Sequence, residues 1–304
     1  MALIRGSCNV MQRFIGYTRD YAFVIFPLLI LGFWLSYRGP DWAIENFKIH
    51  LSIAITMIFG SFVAGGTALG GGAVAFPVLT KLLSITPITA KLFSLGIQSF
   101  GMTAASITIF SRKIPIFSQA AKHTLVGAIP GVLISLIWIA DSLPQLMTKT
   151  VFSSLLLSFA FILMFLGHHR MKCDDNDIKE MWLFPAIGFL GGVLSGVVGS
   201  GVDIILFATL TMLLKKDLKK ATATSVVVMA VISVIASGFN FFINKTLTEE
   251  VINCIFAAMP IVIVGAPVGA FVCSKLPVST VFYSLVILIF IESSLTFSEL
   301  LSHL

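Results

Sequence analysis

Two glycine runs hold the residues best suited to chemistry in this chain. Thr67-Ala68-Leu69-Gly70-Gly71-Gly72-Ala73-Val74 and Gly196-Val197-Val198-Gly199-Ser200-Gly201-Val202-Asp203 each interrupt a long, charge-poor stretch. Clustered glycines break a helix, because glycine loses the most backbone freedom on ordering. A helix that resumes after such a break starts with N–H groups that lack an intrahelical partner and with about half a positive charge. Without a Cβ the backbone can come close to a ligand and turn those N–H groups toward it. Gly70, Gly71, Gly72, Gly199, Ser200 and Gly201 therefore read as an anion site built from backbone, with helices starting near Ala73 and Val202. Each partly buried helix end contributes up to about 2 kcal/mol, which suits a protein that must release what it binds. The competing reading is close helix packing, as expected for Gly60 to Gly66 and for Gly188, Gly191 and Gly192.

Polar side chains nearby can complete an oxyanion's shell. Ser94, Gln98, Thr224 and Ser225 stand in apolar segments that follow the two runs. Their alternative role is a helix–helix hydrogen bond of about 0.6–2 kcal/mol, the role expected of Asn240. Asp203 is open to three readings: a cap on the second short helix, a carrier of a coupling proton, or a ligand for a coupling cation. An ionised Asp203 would repel an anion, which makes proton-linked antagonism attractive. Lys91, at the outer end of its segment, reads as a snorkelling or water-facing side chain. Pro77 fits the first turn of a short helix.

Enzyme chemistry finds little support. The five histidines (His50, His123, His168, His169 and His303) form no i, i+4 pair, and no HExxH occurs. Vicinal His168 and His169 with the acids after them read as a solvated linker rather than a metal site. Cys8, Cys173, Cys254 and Cys273 form no CxxC; Cys254 and Cys273 are roughly 28 Å apart if they share a helix, beyond disulfide reach. No metal and no cofactor is expected, and no ATP-binding loop is present.

These residues need a membrane to position them. Hydrophobic residues make up 57% of the chain and charged residues 11%, against about 25% charged in soluble domains. The mean hydropathy is +1.01. The net charge of +6 marks cytoplasmic loops rather than nucleic-acid binding. Apolar segments run over 21–37, 50–83, 88–111, 122–140, 144–167, 182–214, 218–243, 251–274 and 277–296. Seven have ordinary spanning length. The two that are too long, 50–83 and 182–214, are the two with glycine runs, and each reads as a hairpin of short helices that enters and leaves on one side. With both segments re-entrant and an uncleaved first helix starting in the cytoplasm, fourteen Lys and Arg residues fall inside and six outside.

The chain also looks duplicated. Gly70-Gly71-Gly72 aligns with Gly199-Ser200-Gly201, Ala90 to Leu95 with Ala221 to Val226, and Val126-Gly127-Ala128-Ile129-Pro130-Gly131 with Val264-Gly265-Ala266-Pro267-Val268-Gly269. The expected fold is an all-α membrane protein, an inverted-repeat transporter with two broken or re-entrant helix hairpins plus about seven full spanning helices. Its parts are an N-terminal transmembrane helix and external loop (1–49), a first repeat (50–167), a cytoplasmic linker (168–181) and a second, inverted repeat (182–304).

The pattern Gly65-Gly66, Gly70-Gly71-Gly72, Pro77-Val78-Leu79, its echo Gly192 to Gly201, and Ala221-Thr222-Ala223-Thr224-Ser225 resembles the TauE/SafE sulfite exporter family across nearly all of the chain after residue 50. The resemblance implies a secondary active transporter in a cytoplasmic membrane, the bacterial inner membrane. It implies alternating access and a small sulfur-containing or organic anion as cargo, such as sulfite or a sulfonate. Export is the expected direction, with proton coupling open; on this basis the glycine turns with Ser94 and Ser225 carry the site. The chain departs from the pattern at Gly199-Ser200-Gly201, which lacks a following proline and adjoins Asp203. The alternatives are an anion channel, or an importer of another small anion such as thiosulfate or a carboxylate. Expected partners are the anion, the lipid bilayer and a coupling proton or cation, with a homodimer left open and no nucleic acid.

Overall fold

The computed structural model describes residues 21–67, 70, 75–76, 78–83, 85–140, 142–144, 147–148, 150–151, 153–158, 161, 178, 180–277, 283, 287, 290 and 294. Among them, all regular structure is helical. Gly71, Gly72, Ala73, Pro77, Cys8, Cys173, His168, His169, His303 and most of the 168–181 linker lie outside the described residues.

Helix α1 (Tyr21–Ser36) and helix α2 (Pro40–Ile49) meet at an elbow of 96°. Gly39, at φ 90°, makes the bend, and Pro40 starts α2 where its missing N–H costs nothing. Helix α3 (Leu51–Gly66) leads to the first glycine turn, after which a π turn covers Val78–Leu82. Helix α4 (Pro87–Ser111) starts on Thr86, whose hydroxyl accepts the Thr89 N–H. Helix α5 spans Ser118–Ile139 and closes in a π turn.

The second half repeats this order. Helix α6 (Leu183–Val198) leads to the second glycine turn, and α7 (Val202–Leu213) ends in a π turn. Helix α8 (Leu218–Asn244) starts on Asp217, whose carboxylate accepts the Lys220 N–H, and α9 (Glu249–Lys275) starts on Thr248. Local details correspond between halves. Ile85 N–H donates to Leu79 O and Lys216 N–H to Leu210 O, each at 2.8 Å. Lys113 and Lys245, just past α4 and α8, adopt φ of 54° and 52°.

Helices α4, α5, α8 and α9 are long and apolar enough to cross a membrane, and the bent α1–α2 pair passes the same test as a unit. The expectation of about seven spanning helices thus meets four among the described residues. Segment 144–167 is described at half of its positions, mostly as helix, and segment 277–296 falls largely outside the described residues. Helices α3 and α6 have 16 residues each, about 24 Å, short of a hydrocarbon core of about 30 Å.

Two seams hold the bundle, and both are built by removing side chains. Along α3 and α9 the backbone of Gly65 sits on the Ala266 carbonyl and that of Gly269 on the Phe62 carbonyl. Along α5 and α6, Gly127 sits on the Pro185 carbonyl, Gly188 on the Thr124 carbonyl and Gly192 on the Ala128 carbonyl. In lipid, such close contact supplies the dispersion energy that the hydrophobic effect cannot. Each seam joins a helix of one half to a helix of the other. Helix α4 runs through the centre against α8 and α9. The outer face is apolar, with Phe59, Val126, Trp182 and Phe242 exposed.

Candidate functional site

Helix α6 stops at Gly199, which takes φ 92° and returns its N–H to Ser195 O at 2.9 Å. This left-handed cap is natural for glycine alone. The chain then doubles back, so that Val202 packs on the backbone of Gly191 and Gly201 faces Leu194. Val202 N–H donates to Ser195 Oγ at 3.0 Å. Asp203 curls over the same turn, its Oδ1 accepting the N–H groups of Gly201 and Ile204, both at 3.0 Å. The carboxylate therefore satisfies donors at the start of α7, as a capping residue does.

One face of α4 closes on this turn. Lys91, Ser94 and Gln98 lie at i, i+3 and i+7 and share that face. A Cβ on Gly199 would come 3.0 Å from Ser94 Cβ and 3.1 Å from the Lys91 carbonyl. Gln98 Nε2 donates to Gly199 O (2.8 Å), Ser94 Oγ (2.8 Å) and Ser94 O (3.0 Å). Ser94 Oγ also donates to Gly199 O at 3.4 Å. Three oxygens around the amide nitrogen fix the orientation of the Gln98 side chain, so its Oε1 points away from Gly199.

That oxygen points at the first turn. Gly70 has φ 65°, and a Cβ there would lie 2.5 Å from Asp203 Oδ2 and 2.9 Å from Gln98 Oε1. The two glycine turns thus meet, through Gly70 on one side and Asp203 with Gln98 on the other. Gln98 Oε1, Asp203 Oδ2 and Ser200 Oγ are buried without a hydrogen-bond partner. Buried polar atoms are rarely left bare in this way.

The structure brings Gly70, Ser94, Gln98, Gly199, Ser200, Gly201 and Asp203 together; Gly71 and Gly72 lie outside the described residues. Thr224 is placed elsewhere: its Oγ1 accepts the Phe117 N–H at 2.9 Å and donates to Lys220 O at 2.6 Å, which ties the α4–α5 connection to α8. The Ser225 hydroxyl bonds within α8, to Thr222 O at 2.9 Å. Lys91 does not reach water; it is 3% exposed, because the second hairpin covers the start of α4. Ser195 was not among the expected residues. Its signal is a hydroxyl one turn before a glycine break, where a freed N–H needs an acceptor.

Asn240 is buried, and its Oδ1 receives Asn244 Nδ2 at 3.4 Å and Thr246 Oγ1 at 3.5 Å, a structural role at the end of α8. A separate cleft of about 490 Å³ lies among Phe26, Tyr37, Phe100, Phe241 and Phe256, and its apolar lining does not suit an anion.

The family model described as "Sulfite exporter TauE/SafE" matches residues 53–295. No curated protein and no solved structure matches the chain.

Proposed function

From the chain's membership of the TauE/SafE sulfite exporter family, a family of membrane transporters, we propose a secondary active transporter that exports a small sulfur-containing or organic anion, such as sulfite or a sulfonate, by alternating access. The observation that carries this reading is the meeting of two glycine turns, one from each half, around three bare buried polar atoms. Paired breaks of this kind in corresponding positions point to a binding site at the repeat interface.

The placement of the turns supports this mechanism. Each belongs to a hairpin whose first helix packs on a helix of the opposite half, α3 on α9 and α6 on α5. Rocking one half against the other opens the site to one side while the seam across it stays closed, as an inverted repeat in a bacterial inner membrane allows. Ser200 offers a hydroxyl to an oxyanion, and Ser94 and Gln98 set the shape of the second turn. The N–H groups of Gly201, Val202 and Ile204 are already engaged by Asp203 and Ser195. Those donors are thus not offered to an anion, and Asp203, whose charge would repel one, is the coupling residue in this reading.

Purified protein in liposomes should take up labelled sulfite and sulfoacetate against a preload of the same anion. Saturable counterflow is the expected result. Flux that rises linearly with concentration and shows no counterflow would identify a channel instead.

A further inference from the structure

We propose that the coupling proton is held between Asp203 Oδ2 and Gln98 Oε1, so that a neutral Asp203 holds the second glycine turn against α4 and an ionised one loosens it. This rests on the transporter reading above. Gln98 cannot turn its amide round, because its nitrogen already faces the carbonyls of Gly199 and Ser94. Asp203 cannot turn its carboxylate away, because Oδ1 holds the N–H groups of Gly201 and Ile204. What remains is one bare oxygen from each, both buried and both facing the point where a Gly70 side chain would sit. Two bare acceptors so placed carry the full desolvation cost of unmade hydrogen bonds. One proton on Oδ2 turns an acceptor into a donor and satisfies both at once.

A metal cation fits less well. Hard cations take six or more oxygen ligands, and only Gln98 Oε1, Asp203 Oδ2 and the Ser200 hydroxyl stand bare here among the described residues. Other charge around Asp203 is sparse. Helices α3 and α6 carry no titratable side chain, α8 has only Lys219 and Lys220 in its first turn, and α4 has Lys91, two turns before Gln98.

A carboxylate at this point repels an anion, and a carboxylic acid does not. Proton and anion therefore occupy the site together, and the proton leaves Oδ2 for water once Asp203 moves off Gln98. Gly70 is required because a Cβ there would press on both oxygens.

Infrared difference spectra of the purified protein test this without reference to flux. Wild type should show a protonated carboxyl band at neutral pH that Asp203→Asn removes. Gln98→Met should shift that band to higher frequency, because its hydrogen-bond acceptor is gone. Absence of the band in wild type, or its persistence unshifted in Gln98→Met, would overturn the proposal. If Gln98→Met does not fold, Asp203→Asn carries the test. Its amide replaces Oδ2 with a permanent donor to Gln98, so the melting temperature should rise and sulfite flux should fall at least tenfold at every pH. Flux with the wild-type pH profile would refute the proton site. Wild type that moves neither sulfite nor sulfoacetate, yet shows the band and its shift, would instead overturn the transport reading and leave the proton site standing.

Discussion

Gly70 and Ser200 make opposite predictions. A Gly70→Ala side chain would press on Asp203 Oδ2 and Gln98 Oε1 at 2.5 and 2.9 Å, in a backbone conformation that alanine resists. Destabilisation of about 1–3 kcal/mol is expected, together with loss of transport; a detergent melting curve read beside liposome flux checks both. Ser200→Ala removes a buried hydroxyl that has no partner. Its melting temperature should hold or rise, by up to about 1 kcal/mol in stability. Its affinity for sulfite should fall about tenfold, the loss of one hydrogen bond to a charged group. A fall in both stability and affinity would make Ser200 a packing residue.

At the scale of elements, the seams depend on glycines without side chains. Gly65→Ala and Gly127→Ala would each drive a methyl group into a carbonyl of the facing helix, Ala266 and Pro185 respectively. Helix separation should cost about 3 kcal/mol or more and lower the yield of folded protein, as size-exclusion profiles would report. Gly238 is the control. It lies within α8 with open space where a Cβ would go, so Gly238→Ala should stabilise by about 0.5–1 kcal/mol. Breaks and seams were legible in the sequence because glycine in an apolar helix has few physical uses. The partners of Thr224 and Gln98 were not. Helix α4 and the first half of α8 are buried nearly all round, so their apolar pattern does not say which way a given hydroxyl or amide points. That rotation comes from the helices packed around them. Lys91 misled for a related reason: the end of an apolar segment looks like water until another hairpin covers it.

For the molecule as a whole, sidedness is the open test. If the second glycine segment is a hairpin, its two ends emerge on one face. Single cysteines placed at Glu180 and Lys215, in a background without native cysteines, should both react with an impermeant maleimide from the cytoplasmic side, and one at Lys245 from the outside. Labelling of Glu180 and Lys215 from opposite faces would mean that the segment crosses. Membrane class was visible from hydropathy. The meeting of Gly70 with Asp203 was not, since residues so distant in sequence are joined only by the packed bundle.

The N-terminal elbow bears on direction. Trp34 Nε1–H donates to Phe256 O at 2.6 Å, Asn46 Nδ2 to Asn253 O at 2.9 Å, and Arg38 pairs with Glu249 at 2.8 Å. All three fasten a segment outside the duplicated halves to the first turns of α9. If the halves form the inverted repeat proposed above, left alone they would idle equally often toward either side of the bilayer. A splint on just one of them would then give the protein a preferred resting posture, and cutting it should make a rectifying transporter run more nearly the same in forward and reverse.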